Sequence, residues 1–127
     1  MDIQQFREEA AKYGLRERIK KFVLDVWDFC DKLPNSPSGR NVAGQLTRAS
    51  SSVGANFRAA FRGRSIKEYI AKLGIAEEEA DECCYWLDLV ASREKWGFLQ
   101  SKAKELGNEA NQLTAIIVSL IKKAKNK

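Results

Sequence analysis

The chain has 127 residues, with 22 lysines and arginines against 17 aspartates and glutamates for a net charge of +5 and a pI near 9.2. That is one domain with room for an apolar core, mildly basic, and open to nucleic acid or an acidic partner without requiring either. Hydrophobic residues at 44% and charged residues at 31% are globular proportions, and histidine is absent, which removes histidine triads, histidine-ligated zinc and imidazole acid–base chemistry.

The chain opens on MDIQQFREEAAKYG, residues 1–14. No leader pattern is visible there, and the segment reads as a short N-terminal extension that Gly14 separates from the first main helix. That helix is expected over 15–33, where Ile19, Phe22, Val26, Phe29 and Leu33 follow a 3, 4, 3, 4 spacing. The two prolines of PNSPSG stop it. A second helix is expected over 38–62, a third over 65–93 and a fourth over 99–125. In the third, Ile66, Tyr69, Leu73, Ala76, Ala80, Cys83, Leu87 and Val90 keep the alternation, and in the fourth Leu99, Ala103, Leu106, Ala110, Leu113, Ile117, Leu120 and Ala124 repeat it. Stripes of this kind pack as a left-handed bundle. No segment alternates with period two, so the expected fold is all-α, an antiparallel up-down four-helix bundle in a single domain.

The second helix contains SSSVGANFRAAFRGRS, which at first sight looks like a phosphate-cradling loop. At about 100° per residue, Val42, Leu46, Ala49, Val53, Phe57, Ala60 and Phe61 share an arc of roughly 120°, and Arg40, Arg48, Arg58 and Arg62 share another of about 80°. A loop has no reason to keep that register, so the stretch is helical. Gly54 then weakens the helix by ~1 kcal/mol relative to alanine and serves close packing. Gly63 is expected to end the helix as a left-handed cap, and Ser65 with Glu68 forms a capping box for the next.

The run from Gln45 to Leu89 also resembles the bacterial four-helix bundle family of 23S rRNA intervening-sequence proteins, itself similar to the accessory protein of diversity-generating retroelements. The resemblance rests on Gln45, Leu46, Arg48 and Ala49, on Ser52, Ala55 and Asn56, on Arg64, Ser65, Glu68, Tyr69, Leu73, Ile75 and Ala76, and on Glu82. EANQLTAIIVSLIK looks like the family's last helix, and the likeness covers about residues 15–125. Many members follow the asparagine with Ile-Ala-Glu-Gly. Here Phe57, Arg58, Ala59 and Ala60 stand instead, so no role tied to that acidic residue carries over. The resemblance implies a homopentameric ring, no known enzyme activity, and a suspected partner in RNA, DNA or a reverse transcriptase.

Charge placement adds its own reading. Residues 40–72 hold seven basic residues (Arg40, Arg48, Arg58, Arg62, Arg64, Lys67, Lys72) and one acidic, Glu68, whereas residues 77–94 hold seven acidic and only Arg93 as a base. The tail, with Lys122 and Lys123, is basic again. Either the arginine face and the tail contact phosphates, or the arginines pair with acidic faces such as that of Glu78, Glu79 and Glu82 on a neighbouring helix or protomer. Aromatics do not interleave with the arginines as a single-strand stacking platform requires, so sequence-specific base recognition is not expected.

Three further features have bland explanations. EEEADE lacks the Glu-x-x-His pattern of di-iron bundles, so neither metal nor cofactor is expected. Cys83 and Cys84, adjacent on a helix, read as small core residues, and three cysteines do not make a disulfide framework. Asn56 reads as a polar contact that fixes register at a helix crossing or subunit interface, and Trp27, Trp86 and Trp96 as core or interface aromatics. The longest apolar stretch, LTAIIVSLI, is too short to span a membrane. The expected protein is soluble, cytoplasmic, self-associating and non-enzymatic, with no small-molecule substrate and no membrane partner.

Overall fold

A computed structural model describes residues 3–12 and 14–126, the side chains of residues 9–12 excepted. Five α-helices follow one another: α1 (Ile3–Lys12), α2 (Leu15–Cys30), α3 (Pro37–Ala60), α4 (Ile66–Ser92) and α5 (Gly97–Lys125), with a 3-10 turn at Glu94–Trp96. No strand occurs among the described residues. α4 lies against α3 and α5, and α2 against the same two helices, so α2 to α5 close into a four-helix bundle. Connections this short make sequence neighbours antiparallel.

The periodic residues form the core as expected. Ile19, Phe22, Val26 and Phe29 of α2, Val42 to Ala60 of the α3 stripe, and Tyr69 to Val90 of α4 are buried. In α5 the stripe departs from strict alternation, burying Ile121 while Leu120 is only partly covered. A 3.6-residue turn drifts against a 3.5-residue repeat, so a 29-residue helix has to shift its inner edge by a residue near one end.

Helix ends carry most of the corrections. The tail of α2 tightens, with Lys32 N–H donating to Phe29 O and Leu33 N–H to Cys30 O, so the regular helix stops before Leu33. α3 starts a residue earlier than predicted, with Pro37 in its first turn and the Ser36 side chain accepting from Gly39 N–H at 3.1 Å. It ends at Ala60 because Arg62 N–H and Gly63 N–H reach back only three residues, to Ala59 and Ala60. Gly63 is not a left-handed cap, since the only positive-φ residue among those described is Gly14. What requires glycine at 63 is room: a Cβ there would stand 3.2 Å from Ala60 O and 3.3 Å from Glu68 Cβ. The Ser65 side chain does cap α4, accepting from Glu68 N–H at 3.1 Å. The Glu68 carboxylate returns to Arg64 N–H at 2.6 Å, one residue before its place in the usual capping box.

The N-terminal extension is a second helix set off by Gly14 at φ 61°; positions 1, 2 and 13 lie outside the described residues. Phe6 of α1 is buried and stacks on Tyr69 with centroids 5.2 Å apart, and Arg7 Nη2 donates to Gly63 O at 3.0 Å. α1 is thereby fixed where α3 ends and α4 begins. At the opposite end Arg93 lies 4.4 Å over Trp96 and donates to Ser38 Oγ at 2.7 Å. That contact ties the α4–α5 connection to the start of α3.

Candidate nucleic-acid interface

The arginine arc of α3 is divided between two neighbours. Arg48 turns toward α4, where Nη1 donates to Glu79 at 2.7 Å and Nη2 to Glu82. Those hydrogen bonds, Glu82 first, hold the Arg48 pKa above its ordinary value. Trp86 Nε1 also donates to Glu82, at 3.2 Å. Arg40, near the other end of α3, donates to Asn35 at 2.9 Å. Neither residue lines the groove between α2 and α3. Glu78 is exposed on α4, and Asn56 donates to the Ser52 carbonyl at 2.9 Å and to Ser52 Oγ at 3.0 Å, so its bonds stay within its own helix.

Arg58 and Arg62 turn the other way, into a groove of about 880 Å³ between α2 and α3. Five basic side chains line it, with Arg7 from α1 and Arg16 and Lys20 from α2 joining Arg58 of α3 and Arg62 just past its end, and its one carboxylate is Glu17. Arg16, Lys20, Arg58 and Arg62 have no ion-pair partner among the described residues. The floor includes Val23, Leu24 and Trp27, and the small residues of α3 bring the helices close: a Cβ on Gly54 would stand 3.2 Å from Val23 Cγ2. Gly54 is thus a packing feature at the α2–α3 contact.

Two contacts set the antiparallel register. Trp27 Nε1 donates to Ser51 Oγ at 3.1 Å, and Val23 meets Gly54. Stepping back along α2 while stepping forward along α3 places Lys20 across the groove from Arg58, and Arg16, one turn on, at the level of Arg62 just past the end of α3. These are two like-charged rungs about 6 Å apart, one helical turn each. Like charges facing one another destabilise a surface unless an anion lies between them. Arg7, Arg16, Lys20 and Trp27 were absent from the sequence-predicted site. The signal for the α2 residues is the stripe Arg16, Lys20, Leu24, Trp27, basic at one end and apolar at the other.

Arg64, Lys67, Lys122 and Lys123 are exposed at the same end of the bundle, on the α3–α4 turn, the first turn of α4 and the last turn of α5. Lys122, Lys123 and Lys125 also complement the carboxyl-terminal dipole of α5, a structural role that needs no ligand. Arg18, one turn from this end, belongs to the scaffold. It grips Glu109 of α5 through two hydrogen bonds of 2.8 and 2.6 Å and reaches Gln112 at 2.8 Å.

The thiols are poor nucleophiles. Burial pushes Cys30, Cys83 and Cys84 above the usual thiol pKa, Cys83 furthest, which keeps them protonated near neutrality. No group of three acidic or thiol side chains that could hold a metal ion occurs among the described residues, and none of their helices is long and apolar enough to cross a membrane.

Fold and site together define an all-helical bundle whose α2–α3 groove is lined by five basic side chains and one carboxylate. The chain belongs to the family described as 23S rRNA-intervening sequence protein, which it matches over residues 4–119. Among solved structures it is similar to a protein of unknown function from the S23 ribosomal protein family of Bacteroides thetaiotaomicron VPI-5482. The two are 26% identical, superpose with a TM-score of 0.76, and the match covers 87% of this chain and 96% of that one. No curated protein matches.

Proposed function

We propose that the protein is a non-enzymatic binder of the nucleic-acid backbone, acting through the α2–α3 groove. The observation that carries this reading is a groove lined by five basic side chains and one carboxylate, in which Arg16, Lys20, Arg58 and Arg62 lack the carboxylate partners that Arg48 of α3 has. Guanidinium forks suit phosphate oxygens. Contacts of that kind make binding salt-dependent and largely indifferent to sequence. The test is binding of RNA and duplex DNA across a salt series. Affinity should fall steeply with salt, and Arg58→Ala with Arg62→Ala should reduce the log–log slope by about 2. Arg48→Ala should leave the slope unchanged, because that charge is already neutralised. No detectable binding at low salt would sink the proposal.

A second reading, a protein-interaction scaffold, is favoured by the apolar residues exposed on α4, Ile75, Tyr85 and Leu89, the most open of them Tyr85 at 57%. They fall within an arc of about 80°. In this reading the face joins copies of the chain into the homopentamer that the family resemblance implies, or docks a nucleic-acid enzyme such as a reverse transcriptase. Tyr85→Ser with Leu89→Ser should then lower the particle mass measured by light scattering, and an unchanged mass would count against that face.

A further inference from the structure

We infer that the groove takes a single-stranded segment of nucleic acid, with an unpaired base stacked on Trp27 and the adjoining phosphates on the Lys20/Arg58 and Arg16/Arg62 rungs. This rests on the phosphate reading above and goes beyond it by naming the form of the ligand.

The argument begins with what Trp27 leaves open. Its side chain belongs to a residue 43% exposed, yet its one polar atom is already satisfied. Nε1 donates to Ser51 Oγ at 3.1 Å, and Ser51 Oγ donates in turn to Thr47 O at 2.6 Å. Solvation of the N–H therefore does not explain the exposure, and the surface facing water is apolar ring. The two-step link to the α3 backbone also holds the ring, so little side-chain entropy remains to be lost when a ligand covers it. Leu24, one turn away, is 46% exposed and extends the apolar surface.

The order of groups along the groove matches a strand lying lengthwise. From the Trp27–Ser51 rung to the Lys20/Arg58 rung is seven residues, about 10 Å, and the Arg16/Arg62 rung follows about 6 Å later. That last step is close to the spacing of neighbouring phosphates along one strand. A paired base hides both faces in its stack and cannot lay one on an indole, whereas an unpaired base can. Stacking of this kind accepts any base, so it agrees with the absence of a hydrogen-bonding code in the groove. The aromatics do not interleave with the arginines along one helix, but across two helices they do.

The experiment compares fluorescently labelled oligothymidylate and oligouridylate with an abasic strand of equal length and with a blunt duplex. Wild-type protein, Trp27→Leu and Trp27→Phe are titrated with each at one low salt concentration. The base-bearing strands should bind about tenfold or more tightly than the abasic strand. Trp27→Leu should erase that ratio and Trp27→Phe should restore much of it, any change in the phosphate contacts cancelling in the ratio. Equal binding of abasic and base-bearing strands by wild type overturns the inference and leaves the phosphate reading standing. So does an unchanged ratio in Trp27→Leu, or tighter binding of an acidic amphipathic peptide than of an oligonucleotide of equal charge. Failure of every nucleic acid to bind overturns the phosphate reading itself.

Discussion

Tyr69→Ala should lower stability by about 4 kcal/mol, seen as a fall of about 15 °C in the melting temperature of a chain this size. Tyr69 is fully buried in the first turn of α4. Three elements meet on its ring: Phe6 of α1 stacks at 5.2 Å with planes 15° apart, Phe61 at the end of α3 meets it edge-on at 5.3 Å, and Phe61 is itself 4.7 Å from Phe57. Alanine leaves a hole that these rings cannot close without α1 moving. The second consequence is local. α1 holds Arg7 in the groove, and its buried anchor is Phe6. Amide exchange in α1 should therefore accelerate far more than the global loss requires, and the salt slope for nucleic acid should fall by about 1 as Arg7 is lost. Tyr69→Phe keeps both ring contacts and should retain most of the stability. If α1 exchanged no faster in Tyr69→Ala than global unfolding allows, the Phe6–Tyr69 contact would not be what docks it.

The parts legible in the sequence are those that depend on one helix at a time. The stripe from Tyr69 to Val90 is the core edge of α4 because a regular repeat can face only one way. Ser65 caps α4 because a serine side chain reaches Glu68 N–H whatever surrounds it. Helix ends were less legible, since the three-residue bonds closing α2 and α3 leave the apolar spacing unchanged through Leu33 and Phe61. Gly63 shows the same limit: glycine was expected for its backbone freedom and is needed for the space beside Ala60 and Glu68. The groove was illegible because it is a relation between helices. Arg48 and Arg58 share an arc on α3, but α3 has two neighbours, and an arc does not say which one a long side chain will reach. Only the Trp27–Ser51 register puts Lys20 opposite Arg58, 38 positions away in the chain.

That register also separates the end of the bundle that carries the basic groove from the end that carries the α4–α5 connection. At the groove end Arg16, Lys20, Arg58 and Arg62 have no ion-pair partner among the described residues, and the local structure is supplied by aromatic packing around Tyr69. The opposite end carries Arg40, Arg93 and Lys95. There Arg93 is engaged by Trp96 and Ser38, and Arg40 by Asn35. Lesions at the two ends should therefore be distinguishable by whether binding changes along with stability.

Gly39→Ala tests that opposite end, and its sign runs against helix propensity, which alone favours alanine by ~1 kcal/mol. A Cβ on residue 39 would lie 1.9 Å from Pro34 O and 2.9 Å from Pro34 C. Both are backbone atoms, and a Cβ has no rotamer by which to avoid them. Either the α2–α3 connection must shift or the first turn of α3 must open. Opening it gives up the Ser36 cap on Gly39 N–H, worth about 1 kcal/mol, and the Arg40 N–H to Ser36 O bond of 2.8 Å. The expected net loss is about 3 kcal/mol, or roughly 10 °C in melting temperature. Gly44 on the same helix is the control, because a Cβ there meets nothing within 4 Å. Gly44→Ala should raise stability by up to ~1 kcal/mol. Below its melting temperature Gly39→Ala should bind nucleic acid with the wild-type salt slope, in contrast to Tyr69→Ala, since residue 39 lies about 28 Å along α3 from Arg58. A Gly39→Ala protein melting at or above wild type would show that the Pro34 carbonyl does not close over this turn.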